Sequence, residues 1–136
     1  MKRFVLDCSV TMAWCFEDEA DKYSEAVLDQ LAEGECVVPC LWSLEVANVL
    51  VVGERNKRLT KAQSSRFVEL LSDLPIHVDK NTSERALTGI LPIAREHSLS
   101  SYDAAYLELS MREGLPMATQ DQRLKKAAIK CGVRVL

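Results

Sequence analysis

Five short apolar runs, each separated from the next by a stretch long enough for a helix, organise the 136-residue chain. They are Arg3–Leu6, Cys36–Val38, Ile76–Val78, Pro116–Thr119 and Val133–Leu136. Most are continuously apolar rather than alternating, which suits strands covered on both faces of a parallel sheet. The intervening stretches carry helical spacing. Ala20, Tyr23, Val27 and Leu31 recur at three-four-four intervals, with Gly34 as a C-terminal stop. Thr60-Lys-Ala-Gln63 is a capping-box pattern that opens a helix bearing Phe67, Leu70, Leu71 and Leu74. Ala86, Ile90 and Ile93 define another, expected to be kinked or shortened at Pro92. Ser100 or Ser101 caps a helix that runs through Met111 and stops at Gly114; a last helix carries Leu124, Ala128 and Cys131 before Gly132. No internal repeat or linker interrupts the pattern. The expectation is one α/β domain over residues 1–136 with a mainly parallel sheet and right-handed crossovers.

Composition narrows the function. Apolar residues at 48% and charged ones at 27% belong to a folded core rather than a disordered tail. The net charge of −3 argues against a protein that coats nucleic acid non-specifically. It leaves room for an enzyme with an acidic pocket and a mildly basic rim. The five cysteines, Cys8, Cys15, Cys36, Cys40 and Cys131, are odd in number and irregularly spaced, and nothing resembles a secretion signal, so buried thiols in a reducing cytosol are expected rather than disulfides or zinc. The apolar segment Cys36–Gly53 is broken by Pro39 and carries Glu45 and Asn48, and reads as strand, turn and buried helix, not as a membrane span.

In an open parallel sheet, ligands bind at the carboxyl ends of the strands. A residue just after a strand lies at that edge, and so does the N-terminus of a crossover helix. Asp7 follows the first strand, Glu45 lies early in the helix after the second, Asp103 is in the first turn of the helix before the fourth, and Asp121 lies just past that strand. Four acids from distant parts of the chain are thereby expected on one edge. Asp7, Glu45 and Asp103 sit among apolar neighbours with no adjacent Lys or Arg. A buried carboxylate needs compensation, and a divalent cation supplies it; an all-oxygen set favours Mg²⁺ or Mn²⁺ over zinc. Simpler roles stand beside this one. Ser100-Ser-Tyr-Asp103 is itself a capping-box pattern, and Asp121 can be the N-cap of the last helix. Asp79 also follows a strand, but its polar neighbours Lys80-Asn-Thr-Ser-Glu84 mark it as a loop acid at the sheet margin.

At these residues the chain resembles the PIN-domain family, and within it the VapC-type ribonuclease toxins of toxin–antitoxin pairs. The matching segments are Val5-Leu-Asp-Cys-Ser-Val10, Glu45-Val-Ala-Asn-Val-Leu50, Tyr102-Asp-Ala-Ala-Tyr-Leu107, Ala118-Thr-Gln-Asp-Gln-Arg-Leu124 and the closing Gly132-Val-Arg-Val135. The resemblance implies a three-layer α/β/α fold with a five-stranded sheet, the first strand central. It implies a catalytic quartet of Asp7, Glu45, Asp103 and Asp121, supported by Ser9, Asn48 and Thr119. It also implies metal-dependent endoribonuclease activity, with Asp7, Asp103 and Asp121 as the Mg²⁺ or Mn²⁺ ligands and Glu45 orienting or deprotonating water, or holding a second ion. Cys8, where the family usually has a small or hydroxyl-bearing residue, and Pro92, inside a helix the family leaves intact, are departures.

Basic groups around the acidic edge are the candidate RNA contacts: Arg55 and Arg58 with Lys57 and Lys61, and Arg123, Lys125 and Lys126 with Lys130. Arg123 leads because it directly follows the Asp121 loop; a solvated face is the ordinary fate of such a charge run. His77 and His97 read as surface or half-buried, and Trp14 and Tyr106 as core or interface rather than base-stacking platforms. The expected substrate is single-stranded or looped RNA, such as tRNA or rRNA loops. The expected partners are a small VapB-like antitoxin, whose tail brings an Arg or Lys to the carboxylates, and a second copy of the chain in a homodimer. Trp14, Phe16, Trp42 and Val51–Val52 are the apolar surface offered for the dimer. Rival readings are a haloacid-dehalogenase-like phosphatase, which wants a second acid where this chain has Ser9, a response-regulator receiver, and a non-catalytic RNA- or protein-binding module.

Overall fold

The first strand, β1 (Lys2–Leu6), sits inside the sheet of the computed structural model, which describes residues 2–136. Beside it lie β2 (Gly34–Pro39) and β4 (Met117–Ala118), and β3 (Ile76–Asp79) flanks β2, giving the order β3-β2-β1-β4 with every pairing parallel. Val5 pairs with both Val37 and Met117, and Cys36 with Ile76. The parallel α/β architecture is the one expected. The fifth strand is reduced: Val133–Leu136 contributes one bridge, Met117 to Val135, held by Met117 N–H to Arg134 C=O and Leu136 N–H to Met117 C=O, both at 2.9 Å. With β4 only two residues long, there is no ladder for a longer run to extend.

Among the described residues eight α-helices connect and cover the sheet: α1 (Cys8–Ala13), α2 (Lys22–Gln30), α3 (Leu41–Arg55), α4 (Lys61–Ser72), α5 (Thr82–Arg85), α6 (Leu91–His97), α7 (Ser101–Glu113) and α8 (Gln122–Lys130). The core is Phe4, Val5 and Leu6 of β1, Cys36, Val37 and Val38 of β2, and the buried face of α7, with Tyr106, Leu107 and Leu109 fully covered. α7 packs directly on β1 and β2, so Asp103 and Tyr106 are carried on a helix bedded in the centre of the domain. No helix among the described residues is long and apolar enough to cross a membrane.

The capping expectations hold. Thr60 and Gln63 form a reciprocal box at α4, and Ser100 caps α7 by accepting the Asp103 N–H at 3.1 Å. Gly114 and Gly132 end their helices at φ +65° and +76°, which glycine adopts without penalty.

Several local expectations change. Gly34 is not a helix stop; it opens β2, and a Cβ there would lie 2.5 Å from the Lys2 carbonyl oxygen, so glycine is needed for close strand approach. Pro92 does not end its segment: a π-helical turn (Ala86–Ile90) joins α5 to α6 and places the proline in the first turn of α6, where its missing N–H costs little. Asp79 is no loop acid. It ends β3 with its carboxylate buried, gripped by Arg112 at 2.8 and 3.3 Å, and Arg112 also binds Glu108 at 3.0 Å. Phe16 and Trp42 are core residues and Trp14 is half-buried, its indole N–H donating to the Ser24 carbonyl. Val51 and Val52 are exposed on α3 as expected, and Leu44 joins them.

Candidate active site

Asp7 leaves the end of β1 and is 4% exposed. Two hydroxyls hold it: Ser9 Oγ donates to Asp7 Oδ2 at 2.6 Å and Thr119 Oγ1 donates to the same oxygen at 2.8 Å. Oδ1 accepts no side-chain hydrogen bond among the described residues. The hydroxyls are themselves fixed from behind, since Ser9 Oγ accepts the Gln120 N–H at 3.1 Å and Thr119 Oγ1 accepts the Asp121 N–H at 3.0 Å. The loop after β4 is thus sewn to the loop after β1 through the Ser9 and Thr119 hydroxyls.

Glu45 lies in the second turn of α3, half-buried, with Tyr106 Oη donating to its Oε1 at 2.5 Å. The sequence reading placed Tyr106 in the core, and it is fully buried, but its hydroxyl is part of the site. The signal was available: Tyr106 is three residues after Asp103, hence on the same helical face one turn on. Asp103 is half-buried, and the reciprocal half of its capping box is not formed. Asp121 does cap α8, accepting the N–H groups of Arg123 and Leu124 on Oδ1 at 2.9 and 3.0 Å, while Oδ2 accepts none among the described residues. Capping and a ligand role therefore use different oxygens. Asn48 is exposed on α3 one turn beyond Glu45.

The electrostatics tie the four acids together. Burial raises the Asp7 carboxyl above its ordinary range, the Ser9 and Thr119 hydroxyls oppose this, and the charge of Asp121 adds to it. Burial raises Glu45, the Tyr106 hydroxyl lowers it, and Asp7 and Asp103 push it further up. Asp103 is raised by burial and by Asp7 and Asp121, against a pull from Ser100 and Arg123. Cys8, buried between these charges, has its thiol pushed up to about 12 by burial, Glu45 and Asp7. No Lys or Arg pairs with any of the four carboxylates among the described residues. Nor do three Asp, Glu, His or Cys side chains there stand close enough together to grip an ion as they are. The donor set nevertheless fits a hard divalent cation in chemistry: all oxygen, mutually repelling, uncompensated, with a free oxygen on Asp7, Glu45 and Asp121.

The candidate cations divide by place. Arg123 stands at the site, its charge felt by Asp103 and its guanidinium donating to the Ser98 carbonyl at 2.9 Å. Lys125 and Lys126 are exposed on α8. Arg55 ends α3, ten residues after Glu45, which is about 15 Å along the axis. Arg58 forks onto Asp18 at 3.1 and 3.2 Å, reaches Glu19 at 3.5 Å and stacks on the Phe16 ring at 3.9 Å, so its charge is already engaged. His77 is exposed and paired with Glu35 at 2.8 Å; His97 is tucked against Cys131.

Known proteins resemble this arrangement over nearly its full length. Ribonuclease VapC3 of Pyrobaculum aerophilum is 26% identical over 122 residues, spanning 90% of this chain and 92% of that protein. A crystal structure of another P. aerophilum protein superposes with a TM-score of 0.67 at 24% identity, covering 93% of this chain and 79% of its own. A VapBC2 complex of Rickettsia felis, bound to a fragment of promoter DNA, contains a chain that superposes with a TM-score of 0.68 at 9% identity, covering 98% and 97%. The PIN-domain pattern itself runs through residues 4–130, from β1 to the last turn of α8, and takes in all four carboxylates. The chain belongs to the PIN-domain family.

Proposed function

We propose that this protein is a metal-dependent endoribonuclease of the VapC type, the toxin of a toxin–antitoxin pair. The observation that carries the reading is the convergence of Asp7, Glu45, Asp103 and Asp121 on one another's charge, with no basic residue paired to any of them among the described residues and only Arg123 acting on Asp103 from a distance. An enzyme that works on a polyanion has use for such a site only if a cation completes it. A bound Mg²⁺ or Mn²⁺ supplies charge neutralisation for the phosphate and a more acidic water. Asp7, Asp103 and Asp121 would hold it, with Asp7 oriented by the two hydroxyls on Oδ2. Glu45, fixed through Oε1 by Tyr106, has Oε2 free to orient the attacking water and take its proton. The new bond is from water oxygen to phosphorus, and the bond broken is from phosphorus to the ribose 3′ oxygen, which takes up a proton. The products are a 5′-phosphate and a 3′-hydroxyl. A phosphatase of the haloacid-dehalogenase kind would need an acid where Ser9 stands, and Ser9 is occupied as a donor to Asp7.

The substrate is single-stranded or looped RNA, with tRNA or rRNA loops as the target class and Arg123, Lys125 and Lys126 as the phosphate contacts. Arg55, far along α3, serves a longer strand or none, and Arg58 serves only if RNA displaces Asp18 and Glu19. A VapB-like antitoxin and a second copy of the chain are the partners. An apolar groove of about 380 Å³ between α3, α4 and β3, lined by Trp42, Val46, Leu50, Val68 and Leu71, supports a docked partner. The exposed Leu44, Val51 and Val52 beside it support a dimer face. The unpaired carboxylates are a natural seat for a partner's Arg or Lys, which would compete with the metal. Incubation of the purified chain with total cellular RNA, with Mg²⁺ or Mn²⁺ against EDTA, tests the activity. Co-expression with the product of the adjacent gene, with and without its C-terminal tail, tests the partner.

A further inference from the structure

The loop Thr119–Gln120–Asp121 has a second face. On one side it is sewn to Asp7 and Ser9. On the other, the Thr119 N–H donates to Tyr23 Oη at 3.1 Å, and Gln120 Nε2 donates to both carboxylate oxygens of Asp21 at 3.0 and 2.9 Å. Between that face and the start of α2 lies an open cleft of about 380 Å³, lined by Asp21, Tyr23, Thr119, Gln120, Gln122 and Lys125, with Leu136 as its one aliphatic residue. Its size is at the lower end for small-molecule sites, on the order of 300–1,000 Å³.

We propose that this cleft holds one nucleotide of the RNA strand, next to the phosphate cut at the carboxylates. The inference rests on the ribonuclease reading of the Asp7 site and assigns a place for the neighbouring nucleotide. Three features carry it. The cleft adjoins the carboxylates through Thr119, whose hydroxyl binds Asp7 while its backbone N–H binds Tyr23, so whatever fills the cleft lies one residue's width from the reacting phosphate. Its lining combines one cation with amide, carboxylate and phenol groups. Lys125 makes no ion pair among the described residues and suits a phosphate; Gln122, and Gln120 through its Oε1, present groups suited to a base edge, while Asp21 holds the Gln120 amide in place. A site for phosphate alone would need more positive charge, and one for an apolar peptide would need large apolar pockets. Finally, Tyr23 is half-buried and its hydroxyl, while accepting from Thr119, has its own proton directed to no acceptor among the described residues. A base or ribose oxygen can supply that acceptor.

The cleft differs from a general basic rim in what its loss would do. Lys125→Ala and Gln122→Ala are both exposed substitutions on α8 that leave every hydrogen bond of the Asp7 site in place. Binding of a short single-stranded RNA, with the metal withheld by EDTA so that nothing is cut, is read by fluorescence anisotropy across a salt series. Lys125→Ala should weaken binding several-fold and lower the salt slope by about one. Lys125→Arg should restore both. Gln122→Ala should leave the salt slope alone while changing the distribution of cut positions on a mixed-sequence RNA in Mn²⁺. Arg95→Ala, a cation removed from another exposed surface, should change neither. If Lys125→Ala and Gln122→Ala match the wild type in affinity, slope and cut positions while the wild type cleaves, the cleft is not a nucleotide site. If the wild type neither binds nor cleaves RNA, the ribonuclease reading fails and the cleft proposal falls with it.

Discussion

Thr119 Oγ1 donates to Asp7 Oδ2 at 2.8 Å, joining residues 112 positions apart at the ends of two neighbouring strands. The same hydroxyl accepts the Asp121 N–H, so one side chain fixes one carboxylate and the backbone of a second. Thr119→Val keeps the shape, removes the donor and leaves the Asp121 N–H without a partner. Such a loss costs roughly 1–3 kcal/mol, to be read by urea unfolding, and affinity for Mn²⁺ should fall in the same variant.

Asp7→Asn should separate chemistry from folding. An Asn side-chain oxygen can still accept from Ser9 and Thr119, while the charge that raises Glu45 and Asp103 disappears. The metal-free variant should unfold at a higher temperature than the wild type at pH 7, and metal-dependent cleavage should be lost. A lower melting temperature would show that the carboxylates do not repel one another as described.

The pH dependence follows from the same shifts. Asp7, Glu45 and Asp103 are all raised in the folded chain, so folding binds protons and the site destabilises the metal-free protein at pH values above these raised pKa values. That penalty is full at neutral pH and shrinks as pH falls through the folded pKa values toward the ordinary carboxylate range, where both states are protonated. Relative to Asp7→Asn, the metal-free wild type should therefore gain stability as pH is lowered from 7. Saturating Mg²⁺ should stabilise most at neutral pH and progressively less as protons compete.

Tyr106 and Glu45 can be resolved kinetically. The phenol lowers the Glu45 pKa by bonding its charged form, so Tyr106→Phe should move the acidic limb of the pH–rate profile to higher pH. Loss of a hydrogen bond to a charged group should also cost about 1.5–3 kcal/mol of stability. Glu45→Gln should lower the rate by roughly 10²–10⁴-fold if Oε2 takes the water's proton and abolish the limb. An unshifted profile in Tyr106→Phe would remove Glu45 from that role.

The ion-pair cluster away from the site makes a stability prediction. Arg112 is held between Asp79 and Glu108, both nearly covered, with Arg85 adding a longer contact to Glu108 at 3.4 Å. Arg112→Ala strands the buried Asp79 carboxylate and leaves Glu108 only its longer contact to Arg85, and should destabilise by about 3–5 kcal/mol. Replacing all three partners with apolar residues of similar volume should recover most of that loss.

The parallel α/β plan was legible because covered strands leave continuous apolar runs and capping residues mark helix starts. The carboxylate edge was legible because chain direction alone fixes which end of a crossover helix meets which end of a strand. What could not be read was local and depended on partners distant in sequence. Asp79 looked solvated because its sequence neighbours are polar, yet its partner Arg112 is 33 residues away. Gly34 resembled a helix stop because strand separation is invisible in one dimension. Tyr106 was assigned to the core correctly, but the bond from its hydroxyl to Glu45 spans 61 residues. Arg58 read as free cationic surface, and its engagement with Asp18 arises 40 residues back along the chain.

We propose that Asp7, Glu45, Asp103 and Asp121, none of them paired with a basic residue among the described residues, form a hydrolytic metal site acting on RNA. Its most direct test is a single-stranded RNA incubated with pure wild type and pure Asp7→Asn protein, in Mn²⁺ and in EDTA, with the chemistry of the cut ends determined. Internal cuts bearing 5′-phosphate and 3′-hydroxyl ends are expected, made only by the wild type and only with the metal. Cleavage that persists in EDTA or in Asp7→Asn, or ends bearing a 2′,3′-cyclic phosphate, would contradict it.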